Sequence, residues 1–187
     1  MAGGAASGKS EVARLWKRLG AAVVDADAVV HACLNRPDVR RRLVKAFGKE
    51  ILSAGRIDRS ALGRAAFSSP ARVRALNRIM HPAMTKRLRR EVETLRRRGR
   101  VVVLDAALLF EAGWDRLVDW TVVVTSARNA RIARLRRRGL SPAEAAARIL
   151  AQWPDRRKSA RADAVIRNTG SLARLRADAR GVWRLPP

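Results

Sequence analysis

Gly3-Gly4-Ala5-Ala6-Ser7-Gly8-Lys9-Ser10 opens the chain and fits the pattern G-x-x-x-x-G-K-[ST], in which successive backbone N–H groups face inward and form a concave anion site. Gly3, Gly4 and Gly8 allow the tight, partly left-handed path that a Cβ resists. In such a loop Lys9 reaches the β- and γ-phosphates of a nucleotide, and the Ser10 hydroxyl holds Mg²⁺. A helix beginning near Ser10 adds its positive dipole end to the same site. A phosphate loop normally follows a buried strand, yet only Met1 and Ala2 precede this one. The strand that should aim the loop is therefore expected to be missing.

Downstream, Val12, Leu15, Trp16 and Leu19 recur at helical spacing, which predicts a helix from Ser10 to Leu19 closed by Gly20. Ala21-Ala22-Val23-Val24 is a short, wholly apolar run ending in Asp25-Ala26-Asp27, as expected for a buried parallel strand. Ligands gather at the carboxyl ends of such strands, so these carboxylates belong either to the site or to the cap of the next helix. Val101–Leu104, ending at Asp105, is the clearest strand, and its Asp resembles the acidic partner of a phosphate loop. Trp120–Val124 and Ala164–Ile166 complete the set. Strands alternating with helices predict a parallel sheet with right-handed crossovers.

The stretch from Asn35 to Arg98 is helical and charged throughout. Pro37, Asp58 and Pro70 sit at helix starts, whereas His81-Pro82 is expected to break or kink the third helix. Asn129–Arg138 predicts a helix crowded with Arg131, Arg134, Arg136, Arg137 and Arg138. These form either a solvated helix end or a flap that closes over a triphosphate. Ser141 and Glu144 make a capping box for the following helix.

A chain of 187 residues, 48% hydrophobic, can bury a core as one domain. No apolar run is long enough for a membrane span. One cysteine, Cys33, excludes an intrachain disulfide and fits a reducing cytoplasm. The net charge of +25 comes largely from arginines scattered through every segment. Such a field attracts polyanions, whether nucleic acid or charged small substrates, and an arginine-rich compositional bias produces it with no function attached. His31 and His81 are the only histidines, which leaves no histidine-based metal cluster.

In order, the phosphate loop, Asp25-Ala26-Asp27, His81-Pro82, Leu108-Leu109-Phe110-Glu111, the Arg134-Leu135 helix, Gln152 and Ala162-Asp163-x-Val165-Ile166-x-Asn168-x-Gly170 resemble the marks of the dephospho-coenzyme A kinase family. The resemblance covers nearly the whole chain. It implies a P-loop NTPase-like three-layer α/β/α fold with a parallel sheet, a core of residues 1–34, 99–127 and 160–187, a helical acceptor-binding insertion over about 35–98 and a helical lid over about 128–159. It further implies transfer of the ATP γ-phosphoryl group, with Mg²⁺, to the ribose 3′-hydroxyl of dephospho-coenzyme A. Lys9, Asp27 and Arg137 would be catalytic. Gly4, Ala5, Ala6, Ser7, Gly8, Lys9, Ser10, Arg134, Asn168 and Gly170 would hold ATP, with Ser10 on the metal. Asp27, His81, Leu108 and Glu111 would hold the acceptor. The implied protein is a cytoplasmic monomer or weak homo-oligomer with no membrane and no specific nucleic-acid partner.

Two features depart from the family. Ala107 stands where the family has proline, and the family's central first strand is absent. Val101–Leu104 and Thr121–Val124 would then flank an empty slot, not bonded to each other, with the loop's N-terminal end poorly held. Another nucleoside or nucleotide P-loop kinase, an inactive kinase-like fragment and a basic nucleic-acid-binding protein are the alternatives.

Overall fold

Residues 1–185 are described by a computed structural model, in two compact units: Met1–Asp25 with the chain from Val92 onward, and Ala26–Glu91. In the first, Gly8, at φ 111°, opens α1 (Lys9–Arg18), whose buried stripe is Val12, Ala13, Leu15 and Trp16. Gly20, at φ 103°, turns the chain into β1 (Ala22–Asp25).

The second unit is helical apart from one hairpin. It holds α2 (Ala26–Leu34), α3 (Pro37–Phe47), the antiparallel pair β2 (Leu52–Ser53) and β3 (Arg56–Ile57), and α4 (Arg59–Ala66). Asp58 caps α4 by accepting the Ser60 and Ala61 N–H groups. The hairpin was not expected from the sequence. Its turn is left-handed at both Ala54 (φ 47°) and Gly55 (φ 73°), and an alanine in that position carries no turn signal. Next, α5 (Pro70–Arg96) is continuous through His81-Pro82, which corrects the expected break. An interior proline costs about 3 kcal/mol, whereas Ile79, Met80, Met84 and Leu88 are all buried along this helix, each contributing roughly 1.5–3 kcal/mol when fully buried. Burial wins.

The first unit continues with β4 (Val102–Asp105), β5 (Val122–Thr125), α6 (Arg128–Arg136), α7 (Pro142–Leu150), α8 (Asp155–Ser159), β6 (Ala164–Arg167) and α9 (Leu172–Trp183). The short α8 was not read from the sequence. The expected capping box of Ser141 and Glu144 opens α7. Trp16 Nε1 donates to Ala179 O at 2.9 Å, fastening α1 to α9. Strands pair in parallel as β1 with β4 and β5 with β6, in register Ala22 to Val102 and Val122 to Ala164. The mixed α/β class with parallel strands stands as predicted.

β4 and β5 are not hydrogen-bonded to each other, also as expected. The loop's entry, by contrast, is well held, which corrects the expectation. The Met1 amine donates to Leu104 O at 2.7 Å, and Ala106 N–H donates to Met1 O at 3.1 Å. On the other side Ala2 N–H donates to Val122 O at 2.7 Å, and Val124 N–H to Ala2 O at 2.9 Å. Two residues thus splice the strand pairs, Met1 at the carboxyl end of β4 and Ala2 against Val123 of β5, and both are buried. Burial pushes the Met1 amine from 8.0 down to about 5, opposed by the Asp105 charge. Behind Met1, an apolar cavity of about 340 Å³ is lined from both sides, by Val101 and Val103 and by Trp120 and Val122.

Candidate active site

The splice delivers the chain to the loop at the carboxyl ends of β4 and β5. Gly3 is at φ 149° and a Cβ there would strike Val124 O. At Gly8 a Cβ would lie 2.5 Å from Asn168 Nδ2. Ala6 takes a left-handed φ of 58°, and Ser7 N–H donates to Gly4 O at 3.0 Å. Lys9 Nζ lies 4.0 Å from Asp105 Oδ1 at the tip of β4, and the register sets Asp25 beside Asp105 at the tip of β1. Ser10 is exposed in the first turn of α1. The loop therefore has a cation, a helix N-terminus and two strand-end carboxylates around it, the arrangement a nucleotide phosphate chain needs.

The outer arch of the loop is braced by the segment 126–168. Arg131 is 5% exposed; its Nε donates to Ala5 O at 2.9 Å and its Nη1 pairs with Asp155 at 3.2 Å. Arg134 Nη1 donates to Ala6 O at 2.9 Å and to Ser126 Oγ at 3.0 Å. Ala5 N–H donates to Gln152 Oε1 at 2.8 Å. Behind the loop, buried Asn168 donates from Nδ2 to Ser7 O at 2.8 Å, and its own carbonyl accepts the Ser126 hydroxyl at 3.0 Å. Arg137 lies at the C-cap of α6 with an exposed side chain, and Gly170 is exposed after β6.

After β4, residues 106–113 carry Leu108 and Glu111. Leu108 is exposed. Glu111 Oε1 accepts Lys158 Nζ at 2.8 Å and Trp153 N–H at 3.0 Å, while its Oε2 is buried with no hydrogen-bond partner. In the second unit, Asp27 is exposed in the first turn of α2, and His81 is half-buried in α5, where burial lowers its pKa below 6.5.

Sequence reasoning missed three of these groups. Arg131 was counted with a solvated cluster, although its i,i+3 spacing to Arg134 sets both on one helix face. Gln152 carried no role, and its partner Ala5 is 147 residues away. Lys158 was passed over inside a basic run; the signal was a lone lysine among Arg156, Arg157 and Arg161.

The family model described as Dephospho-CoA kinase matches residues 1–174. A protein named dephospho-CoA kinase from Symbiobacterium thermophilum is 48% identical over 98% of this chain and 79% of its own. One of the same name from Corynebacterium diphtheriae is 41% identical, over 98% and 94%. A crystal structure from Thermus thermophilus superposes with a TM-score of 0.82 at 37% identity, covering 100% of this chain and 96% of the other. The dephospho-CoA kinase from Campylobacter jejuni shares the fold, at a TM-score of 0.66 and 22% identity, over 98% and 93%.

Proposed function

Because the chain belongs to the dephospho-CoA kinase family, we propose that it transfers the γ-phosphoryl group of ATP to the ribose 3′-hydroxyl of dephospho-coenzyme A, completing coenzyme A. The observation that carries this is the braced loop Gly3–Ser10 with Lys9 beside Asp105. Phosphoryl transfer asks a protein for position and charge more than for covalent chemistry.

The loop Gly4–Ser10 receives the β- and γ-phosphates through amides other than those of Ala5 and Ser7, which donate to Gln152 Oε1 and Gly4 O, and Lys9 follows the charge as it moves toward the leaving oxygen. The acceptor 3′-oxygen bonds to the γ-phosphorus while the bond to the β,γ-bridging oxygen breaks, releasing ADP. Asp27 orients that hydroxyl and takes its proton. Leu108, Glu111 and His81 hold the acceptor, and the unpartnered Glu111 Oε2 is an acceptor atom awaiting a donor. Arg137, on a lid of about residues 128–159, closes on the phosphates; Arg134, Asn168 and Gly170 belong to the nucleotide side. The core of 1–34, 99–127 and 160–187 carries ATP, and the insertion of about 35–98 carries the acceptor.

Among the described residues no group of three or more His, Cys, Asp or Glu could hold a metal. The exposed Ser10 hydroxyl and the Asp105 carboxylate at the tip of β4, 4.0 Å from Lys9 Nζ, are the oxygen donor types that suit Mg²⁺, which is held by few protein oxygens plus substrate phosphates. Bound there, Mg²⁺ would neutralise phosphate charge. Among the described residues no helix is long and apolar enough to cross a membrane; we assign the enzyme to the cytoplasm, as a monomer or weak homo-oligomer.

The test is ADP release with each acceptor in turn. Dephospho-coenzyme A should be required, and Lys9→Ala and Asp27→Ala should each lower kcat by about 10²-fold or more with the fold retained. Equal turnover with nucleoside monophosphates would replace this reading with a general nucleotide kinase.

A further inference from the structure

Lys158 has no part in the chemistry above, yet it is completely buried. A buried ammonium is costly unless paired and hydrogen-bonded. Its two partners are both on the segment after β4: Nζ donates to Glu111 Oε1 at 2.8 Å and to Ala107 O at 2.7 Å. One ammonium therefore ties both ends of the Ala107–Glu111 stretch to α8. The same Glu111 oxygen also takes the Trp153 N–H at 3.0 Å. Arg161 lies over the Phe110 ring at 5.6 Å and pairs with Asp115 at 3.0 Å, fixing the outer side of the same contact.

The consequence falls on the other carboxylate oxygen. With Oε1 held from two directions, Oε2 is fixed, buried and unpartnered. Ala107 stands at the mouth of this stretch without the stiffness of a proline, and its carbonyl is the second atom that Lys158 holds.

We propose that Lys158 is the positioning residue of the acceptor segment: it keeps the Glu111 carboxylate aimed, so that Oε2 receives a hydrogen-bond donor of the acceptor nucleotide. This rests on the assignment of residues 108–111 to the acceptor. None of its contacts reaches the phosphate loop, whose braces are Arg131, Arg134, Gln152 and Asn168. Lys158 therefore acts on acceptor binding and leaves ATP binding alone.

The test is Lys158→Met with the full chain. The KM for dephospho-coenzyme A should rise about tenfold or more, as expected for loss of a charged hydrogen bond, while the KM for ATP stays within about twofold. If Lys158→Met does not fold, Lys158→Met combined with Glu111→Gln, which leaves no buried charge, carries the KM measurement. A second readout needs no turnover. Amide exchange at Leu109, Ala112 and Trp114, which bond within the segment, should accelerate in Lys158→Met, and that at Ser7 should not. Equal changes in both KM values, an unchanged acceptor KM or unchanged exchange at these amides would overturn the proposal. Failure of the wild type to use dephospho-coenzyme A would sink the proposed function instead, and the exchange experiment would still decide the role of Lys158.

Discussion

Gly4→Ala is the sharpest probe of how the phosphate loop is held. Gly4 has no left-handed backbone requirement, yet a Cβ built there falls on the Arg131 guanidinium. The methyl group and the guanidinium cannot share the site, so Arg131 must leave. It then loses its bond to Ala5 O and its pairing with Asp155, whose side chains are 7% and 21% exposed. A hydrogen bond from a charged donor contributes about 1.5–3 kcal/mol. Breaking a fully buried ion pair costs roughly 3–5 kcal/mol, which the exposure of Asp155 reduces to about 1–2. Replacing glycine at a compatible backbone returns about 0.4–1 kcal/mol through the unfolded chain. The expected net destabilisation is about 2–4 kcal/mol, read as a lower urea midpoint at constant m-value. The Kd for an ATP analogue should rise about tenfold, because the Ala5 carbonyl is no longer fixed. In an Arg131→Ala background that clash with the guanidinium is gone, and the cost should fall below about 0.5 kcal/mol. Additive effects of the two substitutions would refute this account of the brace.

Three further outcomes are expected. Asp163 Oδ2 accepts the Thr121 hydroxyl at 2.6 Å and the Thr121 N–H at 2.7 Å, which lowers its pKa below 3.8. The unfolded chain thus binds the more protons, so stability present above pH 4 is lost as acid is added, and urea midpoints of Asp163→Asn should fall less steeply from pH 5 to 3. The Met1 amine is pushed from 8.0 to about 5; a base depressed on folding makes stability rise with pH between those values. Selective N-terminal acetylation, which keeps an N–H for Leu104 O, should flatten that rise in pH-dependent urea titrations. Finally, scattered arginines can meet only phosphates, so any DNA binding should fall linearly on a log–log salt plot and ignore sequence; selective binding that survives moderate salt would favour the nucleic-acid alternative.

What the sequence made legible was whatever depends on near neighbours. Gly3 and Gly8 of the loop, the helix start at Asp58 and the Ser141–Glu144 box are short-range geometry and stand as read, whereas Gly4 does not take the left-handed path and Ala6 does. Strand identity followed from apolar runs, with ends shifted by one residue or two. The errors came where distant packing overrode a local rule. Pro82 does not end α5, because Met80, Met84 and Leu88 are buried along the same helix. Met1 and Ala2, which look like a bare tail, each exchange hydrogen bonds with a strand about a hundred residues away. The braces of the site were the least legible part. Arg131 to Ala5, Gln152 to Ala5 and Lys158 to Glu111 join residues 126, 147 and 47 positions apart, and no local pattern names a partner that far along the chain.

The most direct test of the central claim is the identity of the product. The purified chain would be incubated with γ-labelled ATP, Mg²⁺ and dephospho-coenzyme A, and the labelled product examined by ³¹P NMR. The account predicts one new phosphomonoester on the ribose 3′-oxygen, formed in step with ADP and absent with Lys9→Ala. Label on any other oxygen, or ADP formed equally without the acceptor, would contradict it.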